Sequence, residues 1–104
     1  MYADSFVNGS SIRWKQDVKT LTNDDYDISQ MRPVTYKFKG DDKEQIGFIA
    51  EEMVNCCPDV VDIDEEGIPA GIDYARLTAI AIKEIQSLKE EILILKKEIE
   101  NLKK

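Results

Sequence analysis

The sequence predicts an α+β fold: a small mixed domain of short strands and helices followed by a long C-terminal helix. Three observations carry this reading. Val34, Tyr36 and Phe38 alternate with polar residues, two apolar runs flank Asp64-Glu65-Glu66-Gly67, and neither Gly nor Pro interrupts the chain from Tyr74 to Lys104. Alternation with period two marks a half-buried strand, paired runs about a Gly-containing turn mark a hairpin, and a long uninterrupted stretch marks a helix. At 104 residues the chain can bury one small core and not two.

The elements follow in order. Asn8-Gly9-Ser10-Ser11 is turn-like, so residues 1 to 12 are expected to be extended or looped. A short helix is expected next, capped by Thr22 or Asn23, with Asp24, Asp25 and Asp27 near its positive end and Arg32-Pro33 stopping it. The alternating strand through Phe38 runs into Gly40-Asp41-Asp42, and Ile46-Gly47-Phe48-Ile49 suits a second strand. Ala50 to Val54 favours a short helix ending before Pro58, and Val60 to Ile63 pairs with Ile68 to Ile72 as a hairpin. A calcium loop of Asp62, Asp64, Glu65 and Glu66 is the sharper reading of that turn, but the spacing does not match an EF-hand, and a solvated hairpin turn fits better.

Asp73 is a good N-cap for the final helix, whose 31 residues to Lys104 would span about 46 Å. Its seam is explicit. Ile85, Leu88, Ile92, Leu95, Ile99 and Leu102 alternate by three and four, with Ile at every a and Leu at every d position of a heptad. Glu84, Glu91 and Glu98 fall at g and Lys89, Lys96 and Lys103 at e, the arrangement that pairs parallel helices. The pattern predicts a parallel coiled coil, and β-branched a with Leu d favours two strands. Thr78 and Ala81 continue the register upward, while Leu77, Ile80 and Ile82 widen the apolar face where the helix should also pack on its own domain. Leu93 and Ile94 fall at b and c, outside the seam, as tolerated surface residues or as contacts for a second apolar partner.

Composition narrows the chemistry. The net charge of −7 is concentrated: residues 41 to 73 carry eleven acids and one base, whereas residues 1 to 40 carry five acids and six bases and the helix five acids and seven bases. Such a chain is not expected to bind nucleic acid, which needs clustered basic side chains. No run is long and apolar enough for a membrane span and no signal peptide is apparent, so an intracellular protein without a membrane partner is expected. Cys56 and Cys57 are adjacent and read as free thiols, with no metal and no cofactor expected. There is no histidine. Serine–histidine and cysteine–histidine catalysis are therefore absent, and any nucleophile must find its base in Lys, Asp, Glu or a terminal amine.

Four blocks together resemble one family. They are Ser10-Ser11-Ile12-Arg13-Trp14-Lys15, Met31-Arg32-Pro33-Val34-Thr35-Tyr36, Gln45-Ile46-Gly47-Phe48-Ile49-Ala50-Glu51-Glu52 and Ile72-Asp73-Tyr74-Ala75-Arg76-Leu77-Thr78-Ala79. In this order, and leading into a coiled coil, they resemble the self-cleaving intramolecular chaperone domain at the C-terminus of phage tail spikes, tail fibres and endosialidases, related to a domain of myelin regulatory factor. The resemblance implies a homotrimer that registers three upstream fibre chains and then cuts itself off. It implies residues 1–9 as the end of the released fibre, 10–73 as the auto-processing domain and 74–104 as the coiled-coil helix. It implies action in the host cytoplasm during phage assembly, with the released fibre in the virion tail. A trimer stands against the two-stranded preference of the seam, and a globular part built for three chains can override that preference.

The resemblance makes Ser10 the nucleophile, Lys15 its partner and Gly9–Ser10 the bond cut. A lysine acts as a base only when neutral, a form that burial and neighbouring cations favour, and Arg13 and Trp14 stand beside Lys15. The family carries Asp after the nucleophile, and this chain has Ser11. Ser11 is also the alternative nucleophile: four residues from Lys15, it shares a face with it on a helix or a strand, and Ser10 does not. The resemblance therefore implies that Ser10 lies on an irregular loop or meets a lysine of another subunit.

Overall fold

The computed structural model describes residues 9–22 and 26–103. Element order is a 3-10 turn at Ile12–Trp14, a second at Ile28–Gln30, strands β1 (Val34–Tyr36) and β2 (Gln45–Gly47), helix α1 (Ala50–Cys56), a third 3-10 turn at Pro58–Val60, strands β3 (Val61–Ile63) and β4 (Pro69–Ile72), and helix α2 (Tyr74–Leu102). The fold is thus α+β. Each pair of strands is an antiparallel hairpin: Thr35 faces Ile46 in the first, and Val61 faces Ile72 in the second, with a register shift between Asp62 and Ile63.

The β3–β4 hairpin forms as the sequence predicts, and its acidic turn is held by its own side chain. Asp64 Oδ1 accepts from the amides of Glu66 and Ile68, both at 2.9 Å, and Gly67 takes φ +82°, the left-handed region that favours glycine. Gly40 does the same at φ +83° in the turn after β1, closed by the Asp41 amide on the Phe38 carbonyl at 3.0 Å.

Helix α1 forms as expected and reaches Cys56, just before Pro58, whereas three other predicted elements are shorter than expected, for identifiable reasons. The helix expected before Pro33 is a single 3-10 turn. Asp27 caps it, accepting from the Ser29 amide at 3.0 Å, and Met31 is already extended at ψ 137°. The expected caps and acids Asn23, Asp24 and Asp25 lie outside the described residues. β1 stops at Tyr36, and Phe38 turns back to pack edge-on against the Tyr36 ring with centroids 5.2 Å apart. β2 ends at Gly47 rather than Ile49 because the Phe48 amide donates to the Tyr74 hydroxyl at 3.2 Å.

Helix α2 starts where predicted. Asp73 Oδ1 accepts from the Arg76 amide at 3.0 Å, and the Asp73 amide donates to the Val60 carbonyl at 2.7 Å, tying the cap to the body. Arg76 Nη1 adds a bond to the Asp59 carbonyl at 3.0 Å. The core lies under this first part of the helix: Leu77 and Ile80 meet Met53, Cys57 and Val60. Ile82, expected to join them, stays half-exposed. Beyond the core the 29-residue helix, about 44 Å long, runs free. The radius of gyration is accordingly 18.3 Å, against about 13 Å for a compact chain of this length.

Candidate functional site

The segment around residue 10 is built by local hydrogen bonds. Ser11 caps the Ile12–Trp14 turn: its Oγ accepts from the Arg13 amide at 3.2 Å and from Arg13 Nε at 2.9 Å. The Trp14 amide donates to the Ser11 carbonyl at 3.1 Å and the Lys15 amide to the Ile12 carbonyl at 3.2 Å. The Arg13 guanidinium carbon then sits 4.8 Å from the centre of the Trp14 ring, a cation–π pair. The other end of the indole reaches back to Gly9, where a Cβ would lie 3.4 Å from Trp14 Cε3. A Cβ at that distance would make ordinary van der Waals contact, so residue 9 lies beside the indole without the position demanding glycine.

Gly9, Ser11, Arg13 and Trp14 are thereby brought together. Ser10 and Lys15 are not bonded to each other: both side chains are exposed, and among the described residues neither has a hydrogen-bonding partner. Lys15 closes the turn in extended backbone at φ −116° and ψ 149°, and Asp17, at φ +56°, redirects the chain two residues later. The segment is neither α-helix nor strand, so the shared-face argument for Ser11 has no regular element to act on. Sequence reasoning missed the clamp of Arg13 on Ser11, although the two-residue spacing between a serine and an arginine at a turn start was its signal.

The second candidate surface is the helix seam. Ile85, Leu88, Ile92, Leu95 and Ile99 are each about half exposed in the single chain, and Leu102 is 85% exposed. Glu84, Glu91, Glu98, Lys89 and Lys96 make no ion pair within the chain among the described residues. The apolar stripe and its charged flanks are thus both open along the helix. Leu93 and Ile94, 57% and 50% exposed, lie outside the stripe and touch no core.

Charge elsewhere in the body is locally paired. Arg32 holds Glu52 through two bonds, Nε to Oε1 at 2.9 Å and Nη2 to Oε2 at 2.6 Å, which pull the Glu52 carboxyl below its ordinary range. The serine bonds at Ser29 do the same for Asp27. Cys57 is fully buried and Cys56 half-buried; both are free, and burial pushes the Cys57 thiol up, away from reactivity. Among the described residues no group of three His, Cys, Asp or Glu side chains could hold a metal ion, and no helix is long and apolar enough to cross a membrane.

The model of a peptidase family described as the chaperone of endosialidase matches residues 10–62. The chain belongs to this family. The match begins at Ser10, takes in the Ser11-capped turn, the β1–β2 hairpin and helix α1, and ends within β3, before β4 and helix α2. Membership in the chaperone-of-endosialidase family supports a chaperone role and leaves the work of α2 to be argued from its own seam. A search of curated proteins gives no match to the chain.

Proposed function

We propose that this chain is the C-terminal intramolecular chaperone of a phage tail spike or fibre, which assembles as a homotrimer, registers the upstream chains and then removes itself by cleavage between Gly9 and Ser10. The family match that begins at Ser10 carries this reading. The open seam of Ile85, Leu88, Ile92, Leu95, Ile99 and Leu102 supports parallel assembly, and the g and e charges on its flanks suit neighbours rather than the chain's own helix. Assembly would take place in the host cytoplasm, with residues 1–9 leaving as the end of the fibre and residues 10–73 and 74–104 acting as processing domain and coiled coil.

In the proposed reaction, neutral Lys15 takes the proton of Ser10 Oγ, which attacks the Gly9 carbonyl carbon. The Gly9–Ser10 peptide bond breaks as the Ser10 nitrogen leaves with a proton, and water hydrolyses the resulting ester to a Gly9 carboxylate and a free Ser10 hydroxyl. Ser10 is favoured over Ser11 because Ser11 Oγ already serves as the turn cap and holds Arg13. Lys15 stands in water in the single chain, so its activation is assigned to burial on assembly.

Expression of the chain behind an upstream fibre segment tests this. Two bands are expected on a denaturing gel, one band for Ser10→Ala and for Lys15→Ala, and a new N-terminus at Ser10 by sequencing. A new terminus at Ser11 would move the nucleophile. The exposed, unpaired state of Ser10 and Lys15 favours one second reading, a trimerisation module or coiled-coil adaptor without catalysis. That reading stands if the unmutated chain remains whole while sedimentation equilibrium gives the mass of three chains.

A further inference from the structure

Two surfaces of the chain are unfinished, and they are complementary. The first is the arm around the Ile12–Trp14 turn. Ile12, Trp14 and Val18 are 69%, 68% and 65% exposed, whereas Leu21, only a few residues on, packs against the core. Three such side chains on one short arm form an apolar surface left largely in water. Between residues 9 and 22 the arm carries Arg13, Lys15 and Lys19 against Asp17, so it is basic.

The second surface is a groove of about 350 Å³ beside the start of α2, walled by Met31, Phe48, Tyr74, Leu77, Thr78 and Ala81. Thr78 and Ala81 are the a and d positions one heptad before Ile85 and Leu88. In a parallel bundle those positions face the neighbouring protomer, so the groove opens toward a second copy. The Phe48 and Tyr74 rings, 6.3 Å apart and tilted by 36°, offer aromatic walls.

We propose that this groove receives the arm of a second copy of the chain, with Trp14 as its anchor, so that protomers exchange arms around the assembly. Two observations commit the groove to that occupant: the arm's unburied apolar side chains, and the continuity of the groove with the seam through Thr78 and Ala81. The exchange rests on the assembly reading above and deepens it. It carries Gly9, Ser10 and Lys15 onto the neighbouring body, because the Trp14 ring lies against Gly9 and Lys15 is the next residue in the chain.

Trp14 is the sole tryptophan, so its fluorescence reports the arm directly. In a dilution series of the full chain, followed in parallel by sedimentation velocity, its emission is expected to move to shorter wavelength and its quenching by acrylamide to fall severalfold as the assembled fraction rises. A photo-crosslinking phenylalanine analogue at position 14, in a mixture of ¹⁴N and ¹⁵N copies, should join one isotope's arm to the other isotope's 28–33 or 74–81 peptides. Trp14→Ala removes a side chain that is solvent-exposed in the single chain. It should keep the circular dichroism of the fold and weaken assembly about tenfold, the loss of an aromatic anchor. An assembled chain whose Trp14 stays accessible to acrylamide, or whose crosslinks remain within one isotope or outside the groove, overturns the exchange alone. A chain that is monomeric at every concentration overturns the assembly reading with it.

Discussion

At residue 11 a serine holds the start of the Ile12–Trp14 turn. Its Oγ accepts the Arg13 amide and guanidinium and so holds the turn that places Trp14 on Gly9. Ser11→Asp keeps an acceptor at the cap and adds charge opposite Arg13, so the proposed cleavage between Gly9 and Ser10 should proceed at least as fast as in the unmutated chain. Ser11→Ala loses a cap worth about 0.5–2 kcal/mol and should slow single-turnover cleavage several-fold, which a time course on gels reads. Equal rates for the two variants would show that the turn does not position the scissile bond. The Arg32–Glu52 pair makes a separate claim about pH. Because Arg32 lowers the Glu52 carboxyl in the folded chain, the stabilisation is complete above the ordinary carboxylate range and is lost as pH falls through the lowered value. In Arg32→Ala the Glu52 carboxyl should titrate nearer its ordinary value, as carboxyl carbon NMR would follow; an unchanged midpoint would assign the shift elsewhere.

Among the elements, those governed by neighbours in sequence were legible and those governed by distant partners were not. Asp73 capping α2 and Asp64 closing the β3–β4 turn are local decisions, and both were readable from residue type and spacing. The end of β2 was not, because it depends on Tyr74, 26 residues beyond Phe48 in the chain. The likeness of the Ser10–Lys15 block to the family was readable too, whereas the clamp of Ser11 on Arg13 required geometry. Gly47 shows how tightly the two ends of that long-range lock fit. A Cβ there would stand 2.6 Å from the Tyr74 hydroxyl and 3.3 Å from Tyr36 Cε1. Gly47→Ala should cost about 1–3 kcal/mol by overpacking, and Tyr74→Phe about 0.5–1.5 kcal/mol through the bond to Phe48. Since removing the hydroxyl also removes the clash, the double variant should lose less than the two separately, measured by urea unfolding at one fixed concentration. Strict additivity would mean that the hydroxyl is not what the new methyl group meets.

For the whole molecule, the fully buried core of Met53, Cys57, Val60, Leu77 and Ile80 is small for 104 residues, and the six apolar side chains of the α2 stripe are left half exposed or more. Stability should therefore reside largely in association, and the midpoint of thermal unfolding is expected to rise with protein concentration. A midpoint independent of concentration over a hundredfold range would place the stability in the single chain instead. The junction at Asp73 has one more consequence. From Ile85 to Leu102 every a and d residue is apolar, with no buried asparagine or lysine to fix alignment, so the helices by themselves could slide past one another by a heptad, about 10.5 Å. The bond from the Asp73 amide to the Val60 carbonyl and the burial of Leu77 prevent each body from sliding independently of its helix. In the proposed trimer a slipped bundle would have to stagger its three heads by the same 10.5 Å. In that assembly the head would act as a key that permits one alignment of the helices, and the chain ends above it would inherit that alignment.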